Sequence, residues 1–415
     1  MNIFKKADIM LPENVDYTKW SVVACDQYTS EPEYWESVGN IVGDSPSTLN
    51  LVYPEVFLSQ GEERIKKIND AIESYIDKNV FYTLKNSLIY VEREIENKKI
   101  RHGIVGAIDL EEYDFNKGST SCVRATEGTV LERIPPRVKI RQNAKMEFPH
   151  IMILIDDEKR EIIEEATKNK ENYEKIYDFD LMMDSGNIKG YRISDEDADK
   201  IISRLDNLEK DYNAKYNLVS DDKLIFAVGD GNHSLATAKR CWEDLKKNLS
   251  EEEIKTHPAR FALCELVNLH DDSLEFKPIH RVLFGVDEND IMSELEKMYD
   301  VSYEKIDAQS FEIVSKNINK KVYIKNPTSN ISVGTLQNFL DEYMKKHNVG
   351  IDYVHGDDVT KKLGTQESNM GFLLPCMKKN ELFITVIKDG ALPRKTFSMG
   401  EAKEKRFYIE GKKIK

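Results

Sequence analysis

One short polar stretch of the sequence carries the side chains best suited to chemistry. It combines a carboxylate, an amide, an imidazole and two hydroxyls around a glycine. Its members are Asp230, Gly231, Asn232, His233, Ser234 and Thr237. Groups of these types bind metal ions, transfer protons or contact phosphate. We therefore take this stretch as the first candidate for a functional site.

The candidate stretch is predicted to join a strand to a helix. The apolar run 224–228 is typical of a buried strand, and the alanine-rich segment that follows favours a helix. A helix that begins at Asn232 or His233 would present unpaired backbone N–H groups and a positive dipole end, which together bind phosphate. Many strand-to-helix turns contain glycine and bind no ligand, so an ordinary structural turn is the alternative.

A second group of charged and hydroxyl side chains lies between residues 121 and 141. Its members are Arg124, Glu127, Thr129, Arg133, Arg137, Lys139 and Arg141. The cations could hold a polyphosphate while the acid acts on a hydroxyl. The alternative is a surface loop that ends in an arginine-rich segment laced by salt bridges.

Four further residues are candidates for contacts with a substrate. Asp26 follows a strand-like apolar run and either forms part of a pocket or only shapes its turn. His280 and Arg281 could meet an anion, although a histidine beside a proline turn is more often satisfied by packing. His355 could orient a substrate or cap its own turn.

Composition and charge limit the class of protein. The chain has 415 residues, of which 40% are hydrophobic, enough for two or three globular units. No apolar run approaches the roughly 20 residues that cross a bilayer, and residues 1–11 lack a secretory signal. Five widely spaced cysteines without a CxxC pair suit a reducing compartment. We therefore expect a cytoplasmic location and no membrane partner.

The net charge of −14 argues against a polyanionic partner. Basic residues are mixed with acids along predicted helical faces instead of forming a basic stripe. We therefore expect no nucleic-acid partner, and a homodimer is compatible with the sequence.

Periodicity predicts an α+β protein. It indicates an amphipathic helix over 61–78, a hairpin over 87–95 and 100–110, and helices over 157–174 and 194–212. Further helices are predicted over 289–299 and 333–346. We expect an N-terminal α+β catalytic region over 1–284, with a helical insertion at about 157–215, and a C-terminal α+β region over 285–415.

The sequence resembles a known family at several of these sites. Asp-Gly-Asn-His-Ser at residues 230–234 is similar to the Asp-Gly-His-His-Arg motif of domain-of-unknown-function family 1015, related to ParB and sulfiredoxin. Arg124, Glu127 and Thr129 match the Arg-Pro-His-Glu-x-Thr pattern of that family. Shorter matches occur at residues 22–24, 266–268, 278–281 and 351–356. The resemblance implies a ParB/sulfiredoxin-like mixed sheet core with flanking helices and an additional α+β unit.

Some members of this family phosphorylate free serine, so the resemblance also implies a function. It implies an ATP- or ADP-dependent kinase that converts the hydroxyl of L-serine to O-phosphoserine with Mg²⁺. The implied catalytic residues are Glu127 as base, Asp230 and His233, with Asp230 and Glu127 as Mg²⁺ ligands. The implied nucleotide- and phosphate-binding residues are Gly231, Asn232, Ser234, Thr237, Arg124, Thr129, Arg137 and Arg141. The implied substrate-binding residues are Asp26, His280, Arg281 and His355.

The chain departs from the family motif at two positions. Asn232 and Ser234 stand where many relatives have histidine and arginine, so a phosphate-binding guanidinium is missing or is replaced by Arg124, Arg141 or Arg281. The alternative function is a non-catalytic nucleotide-binding switch of the ParB-like type. Sulfiredoxin-like repair is disfavoured because the 231–234 loop contains no cysteine.

Overall fold

The protein has a mixed α+β fold, which confirms the predicted class. A computed structural model describes residues 3–116, 118–128, 134–216, 222 and 224–415, apart from the side chains of Pro136 and Glu209. The helices within these ranges are α1 (Tyr17–Trp20), α2 (Pro32–Val42), α3 (Gly61–Asp77), α4 (Ile134–Arg141), α5 (Ile163–Asn169), α6 (Asp195–Tyr216), α7 (Asn232–Leu245), α8 (Glu251–Thr256), α9 (Glu288–Met298), α10 (Ser332–Lys346), α11 (Asp357–Gly364) and α12 (Glu381–Asp389).

The strands form two larger sheets and two short pairs. In chain order they are β1 (Phe4–Lys5), β2 (Ala7–Pro12), β3 (Phe81–Ser87), β4 (Ile89–Glu94), β5 (Ile100–Asp109), β6 (Tyr113–Asp114), β7 (Val123–Ala125), β8 (Met146–Glu147), β9 (Met152–Ile155), β10 (Glu174–Asp180), β11 (Asn187–Arg192), β12 (Phe226–Asp230), β13 (Phe261–Asn268), β14 (Phe276–Phe284), β15 (Val301–Ser302), β16 (Gln309–Val314), β17 (Asn319–Ile324), β18 (Gly350–His355), β19 (Asn369–Leu373), β20 (Phe397–Met399) and β21 (Lys412–Lys413). No helix within the described ranges has the length and apolar run needed to span a bilayer.

The chain divides into two compact units. The first unit comprises Met1–Ala125, Thr129–Leu274 and Glu401–Lys415, and the second comprises Thr126–Gly128 and Glu275–Gly400. This division differs from the expected one at residue 284, because β14 belongs as a whole to the second unit and the last residues return to the first.

The first unit is built on a mixed sheet whose strand order is β10-β11-β4-β5-β13-β9-β12-β7-β6, with β1 paired to β5. Strand β13 is antiparallel to β5 and parallel to β9, while β12 is antiparallel to β9 and parallel to β7. Every residue of β13 is buried, as expected for a central strand covered on both faces. The core of the unit therefore lies around β5, β13, β9 and β12, and β12 leads directly to the candidate stretch.

The predicted helix over 157–174 is wrong for most of its length. Only Ile163–Asn169 is α-helical, and β10 and β11 follow as a hairpin whose second strand pairs with β4. Tyr177 and Phe179 of β10 are buried on either side of the exposed Asp178, a strand alternation that the high charge of the segment concealed. The expected helical insertion thus contributes two strands to the edge of the sheet.

The second unit contains a smaller sheet with the order β15-β17-β16-β19-β14-β18, and β20 also pairs with β14. All of its strand pairs are antiparallel. The two helices predicted for this region are present as α9 and α10. Their buried faces include Ile291, Leu295, Leu336 and Leu340, which fits the amphipathic pattern.

The C-terminal segment, Glu401–Lys415, is fastened into the first unit by backbone hydrogen bonds. The Tyr408 N–H donates to the Val22 carbonyl at 2.9 Å, and the Ala24 N–H donates to the Arg406 carbonyl at 3.1 Å. The buried guanidinium of Arg406 is paired with Glu265 of β13 and with Glu410 at 2.7 Å. These bonds fix the position of the residues on either side of Arg406.

Candidate functional site

The predicted strand, turn and helix are present at the candidate stretch. Strand β12 ends at Asp230, α7 begins at Asn232, and Gly231 between them has φ +77°, in the left-handed region that favours glycine. A Cβ atom on Gly231 would lie 3.0 Å from Ile151 Cα. Gly231 has no side chain to cap the start of α7, and the positive end of the helix dipole lies at this turn.

Asp230 is held at the turn by two interactions. Its Oδ1 accepts a hydrogen bond from the Gly231 N–H at 2.8 Å, and its Oδ2 lies 3.2 Å from Nζ of Lys405. The side chains of Asp230 and Lys405 are 17% and 19% exposed, so this ion pair is accessible to a ligand. A carboxylate and an ammonium therefore stand together beside the uncapped helix.

The polar side chains of the first turn of α7 differ in exposure and in hydrogen bonding. Asn232, His233 and Ser234 are all partly exposed. The side-chain Oδ1 of Asn232 is buried and has no hydrogen-bond donor within the described residues. The hydroxyl of Thr237 instead donates to the His233 carbonyl at 2.7 Å, so it is already engaged inside the helix.

Asp26 is a second carboxylate in the first unit, and the charge of Lys405 acts on it. Burial raises the pKa of Asp26, but the charge on His150, a 2.9 Å hydrogen bond from the Gln27 amide and the charge on Lys405 outweigh it. The pKa of Asp26 therefore lies below its usual value. We call Asp26 and Asp230 the carboxylate pair, since both interact with the same ammonium.

Sequence reasoning missed His150, Lys405 and Tyr408. The Nδ1 atom of His150 lies 2.9 Å from the Tyr408 hydroxyl, and both side chains are buried. No sequence signal singles out these residues, because Lys405 sits in a lysine-rich tail and His150 follows a proline. Only the return of the C-terminal segment to the first unit brings Lys405 and Tyr408 to this region.

The predicted basic group is distributed over separate ion pairs. Arg124 is paired with Asp222, Arg137 with Glu55, and Arg141 with Glu147 at 2.6 Å. Burial lowers the pKa of Arg137, and the negative charge of Asp26 partly opposes that shift. Of these three arginines, Arg137 is therefore the one on which the charge of Asp26 acts. Thr129 and Arg133 lie outside the described residues.

Glu127, His280, Arg281 and His355 belong to the second unit. Glu127 forms a parallel bridge with Leu392, and its charge acts on the Arg281 guanidinium. His355, the last residue of β18, is exposed. A joint site of these residues with those of the first unit stays a prediction.

His280 and Arg281 are engaged in hydrogen bonds within the second unit. Nδ1 of His280 accepts from the Leu374 N–H at 3.1 Å, so Nε2 carries the proton and donates to Asp357 at 2.9 Å. Arg281 donates to Gln337 at 3.1 Å and to the carbonyls of residues 394 and 395 at 3.2 and 3.0 Å. Burial lowers the pKa of Arg281 to about 10. Both side chains therefore have structural partners.

The described residues contain one group of three potential metal ligands within 4.8 Å of one another: Asp156, Glu158 and His270. Nζ of Lys215 lies 2.6 Å from Asp156 and 2.7 Å from Glu158, so an ammonium already neutralises the two acids. Neither Asp230 nor Glu127, the predicted Mg²⁺ ligands, is a member of this group.

The family assignment follows from the match of residues 9–343 to the model of a family described as a protein of unknown function, DUF1015. The match covers most of the chain, and the chain belongs to this family. No curated protein matches the sequence.

Solved structures show distant likeness. A free serine kinase in complex with AMP has 13% identity and a TM-score of 0.38, over 78% of this chain and 95% of that one. A mutant free serine kinase in complex with ADP has 12% identity and a TM-score of 0.39 over the same shares. A conserved hypothetical protein from Pyrococcus furiosus has 11% identity and a TM-score of 0.34, over 73% and 91%. Likeness at this level carries no argument about function.

Proposed function

We propose that this protein is an ATP- or ADP-dependent kinase that phosphorylates the hydroxyl of free L-serine to give O-phosphoserine. The observation that carries the proposal is the turn at Asp230 and Gly231, where an uncapped helix start stands beside a carboxylate and an ammonium. Phosphoryl transfer depends mainly on positioning and on neutralising phosphate charge, and these groups supply both.

The phosphate seat in this proposal is the start of α7. The backbone N–H groups that follow Gly231 are not capped by a side chain, and a left-handed glycine allows close approach of the backbone to an anion. His233 and Ser234 are partly exposed on the same turn and add side-chain contacts. The nucleotide would therefore place its phosphates over this turn.

Asp26 fits the amino group of a free amino acid. Its lowered pKa keeps the carboxylate charged at neutral pH, and a charged carboxylate pairs with the α-ammonium of serine. This role agrees with a small, zwitterionic substrate. It also explains why a second acid is present near the Asp230 turn.

The donor atoms near the turn fit Mg²⁺, which prefers oxygen ligands. The Asp230 carboxylate and the unpartnered Oδ1 of Asn232 are the residues that would hold it. When bound, Mg²⁺ neutralises phosphate charge during transfer. Asp230 and Asn232 would supply its oxygen ligands beside the start of α7.

The proposed general base is Glu127, on the match of residues 124–129 to the family pattern alone. A carboxylate in this role accepts the proton of the serine hydroxyl as that oxygen attacks phosphorus. Its contribution can be tested separately from nucleotide binding.

The deciding experiment incubates the purified protein with L-serine, Mg²⁺ and either ATP or ADP, and detects O-phosphoserine by mass spectrometry. L-Alanine, which lacks the hydroxyl, is the matched control acceptor. The proposal predicts a product of the mass of phosphoserine that requires nucleotide and hydroxyl. Saturable nucleotide binding without a phosphorylated product from serine, threonine or homoserine would instead support the nucleotide-binding switch, which the loss of the motif arginine at Ser234 favours.

A further inference from the structure

The family motif places an arginine where this chain has Ser234, so another cation must serve the phosphate if the proposed function holds. The three arginines that could replace it have other partners. Arg124 is paired with Asp222 and Arg141 with Glu147, while Arg281 is hydrogen-bonded inside the second unit. The carboxylates paired with Arg124 and Arg141 are therefore not that of Asp230.

Within the described residues, Lys405 is a basic side chain that the fold brings to the turn. Its Nζ lies 3.2 Å from Oδ2 of Asp230, the residue directly before Gly231. The ammonium is only partly exposed, whereas most lysines of the chain are at the open surface. It therefore stands beside the uncapped start of α7 and within reach of solvent.

The position of Lys405 is fixed by its neighbours in the C-terminal segment. The Arg406 carbonyl accepts from the Ala24 N–H at 3.1 Å, and the Arg406 side chain is buried against Glu265 and Glu410. The Glu404 side chain accepts from the Glu96 N–H at 2.9 Å. Anchors on both sides hold the backbone while the flexible four-carbon stem of lysine leaves the ammonium able to change partners.

We propose that Lys405 is the phosphate-binding cation of this protein and takes the place of the arginine missing at position 234. The inference rests on the proposed nucleotide-binding function. In the unliganded protein the ammonium is paired with Asp230, and a phosphate at the start of α7 offers it a doubly charged partner. The ammonium then turns from the carboxylate to the phosphate without movement of the backbone.

The test compares the binding of adenosine, AMP, ADP and ATP to the wild-type protein and to Lys405→Ala and Lys405→Arg, by isothermal titration calorimetry with Mg²⁺. Lys403→Ala is the matched control, because Lys403 lies in the same segment and its ammonium is paired at 3.6 Å with Glu96. We expect Lys405→Ala to weaken ADP and ATP about 10- to 100-fold and adenosine less than about twofold, by loss of charge-assisted hydrogen bonds. Lys405→Arg should restore most of the affinity, and Lys403→Ala should bind like the wild type.

Each outcome bears on a different claim. If the wild type binds the nucleotides and Lys405→Ala binds them equally well, the role of Lys405 is overturned while the proposed function stands. If Lys405→Ala weakens adenosine as much as ATP, the residue only supports the fold and the inference also fails. If the wild type binds none of the nucleotides, the proposed function itself is wrong. Circular dichroism shows whether each variant is folded. If Lys405→Ala does not fold, the nucleotide affinities of Lys405→Arg and the wild type are compared instead.

Discussion

The ammonium of Lys405 lies 3.2 Å from the carboxylate of Asp230, which joins the end of the chain to the turn between β12 and α7. The two residues are far apart in the sequence and meet because the C-terminal segment returns to the first unit. The ion pair is partly exposed, so its own contribution to stability is at most about 1 kcal/mol. Its significance lies in the charges that it places beside an uncapped helix.

Asp230→Asn removes the charge of this pair while an oxygen remains to accept the Gly231 N–H. We expect phosphoserine formation to fall at least about 100-fold, as for loss of other preorganised charged groups in active sites. The free energy of unfolding should change by less than about 1 kcal/mol, because the pair is partly solvated. Steady-state kinetics and urea denaturation measure the two effects.

The control for this substitution is Asp244→Asn, which removes a carboxylate from α7, the helix that follows Asp230. Asp244 is paired with Arg240 and Lys247 at the surface. Asp244→Asn should leave turnover unchanged. Equal turnover in Asp230→Asn and Asp244→Asn would remove Asp230 from the reaction.

Glu127→Gln keeps the size of the side chain and removes its capacity to accept a proton. We expect turnover to drop about 100-fold or more, the usual contribution of a general base, while the Kd for nucleotide changes less than about threefold. Single-turnover kinetics and calorimetry separate these quantities. Normal turnover in Glu127→Gln would exclude it as the base.

Gly231→Ala tests the geometry of the turn. Alanine at φ +77° is strained, and its Cβ would lie 3.0 Å from Ile151 Cα. We expect a loss of about 1–3 kcal/mol in the free energy of unfolding, measured by urea denaturation. Gly285→Ala is the control, since Gly285 has the same φ of +77° but its Cβ would meet nothing nearer than 3.9 Å. A loss no larger than that of Gly285→Ala would show that the Ile151 contact is relaxed without cost.

His280 should make the second unit sensitive to acid. Burial lowers its pKa below 6.5, Asp357 partly opposes the shift, and Nδ1 accepts the Leu374 N–H only while unprotonated. The unfolded chain therefore binds this proton more readily than the folded one. The contribution of neutral His280 to stability is complete above pH 6.5 and is lost as the pH falls through the folded pKa.

Urea denaturation between about pH 7.5 and about pH 5 measures this effect, since that range brackets histidine titration. The wild type should lose stability relative to His280→Gln on acidification. His355→Gln, on a neighbouring strand with an exposed side chain, should follow the wild type. Parallel curves for the wild type and His280→Gln would contradict the prediction.

The sequence by itself predicted the local elements at the site. The apolar run before Asp230, the glycine after it and the alanine-rich segment that follows led to the observed strand, left-handed turn and helix. These features depend on neighbouring residues, so periodicity and glycine placement are sufficient to predict them. The motif at 230–234 likewise pointed to the family that the match over 9–343 shows.

Long-range pairing is where sequence reasoning failed. Strand β10 lies in the region expected to be a helical insertion, because its charged residues hid the burial of Tyr177 and Phe179. The basic group looked like one anion site, yet Arg124 and Arg141 each found a different carboxylate. A charged side chain takes whichever partner the fold brings near, and spacing along the chain does not specify that partner.

The amino-acid sequence determined the turn at Gly231, the class of the fold and the family. Each of these was predicted from short segments of neighbouring residues, through their periodicity, glycine placement or motif. Only the tertiary structure decided that Lys405 pairs with Asp230 and that the charge of Lys405 also lowers the pKa of Asp26. The reason is physical: these contacts depend on the position of the C-terminal segment, which buried ion pairs such as Arg406 with Glu265 hold against the sheet. That closure depends on the packing of the whole first unit.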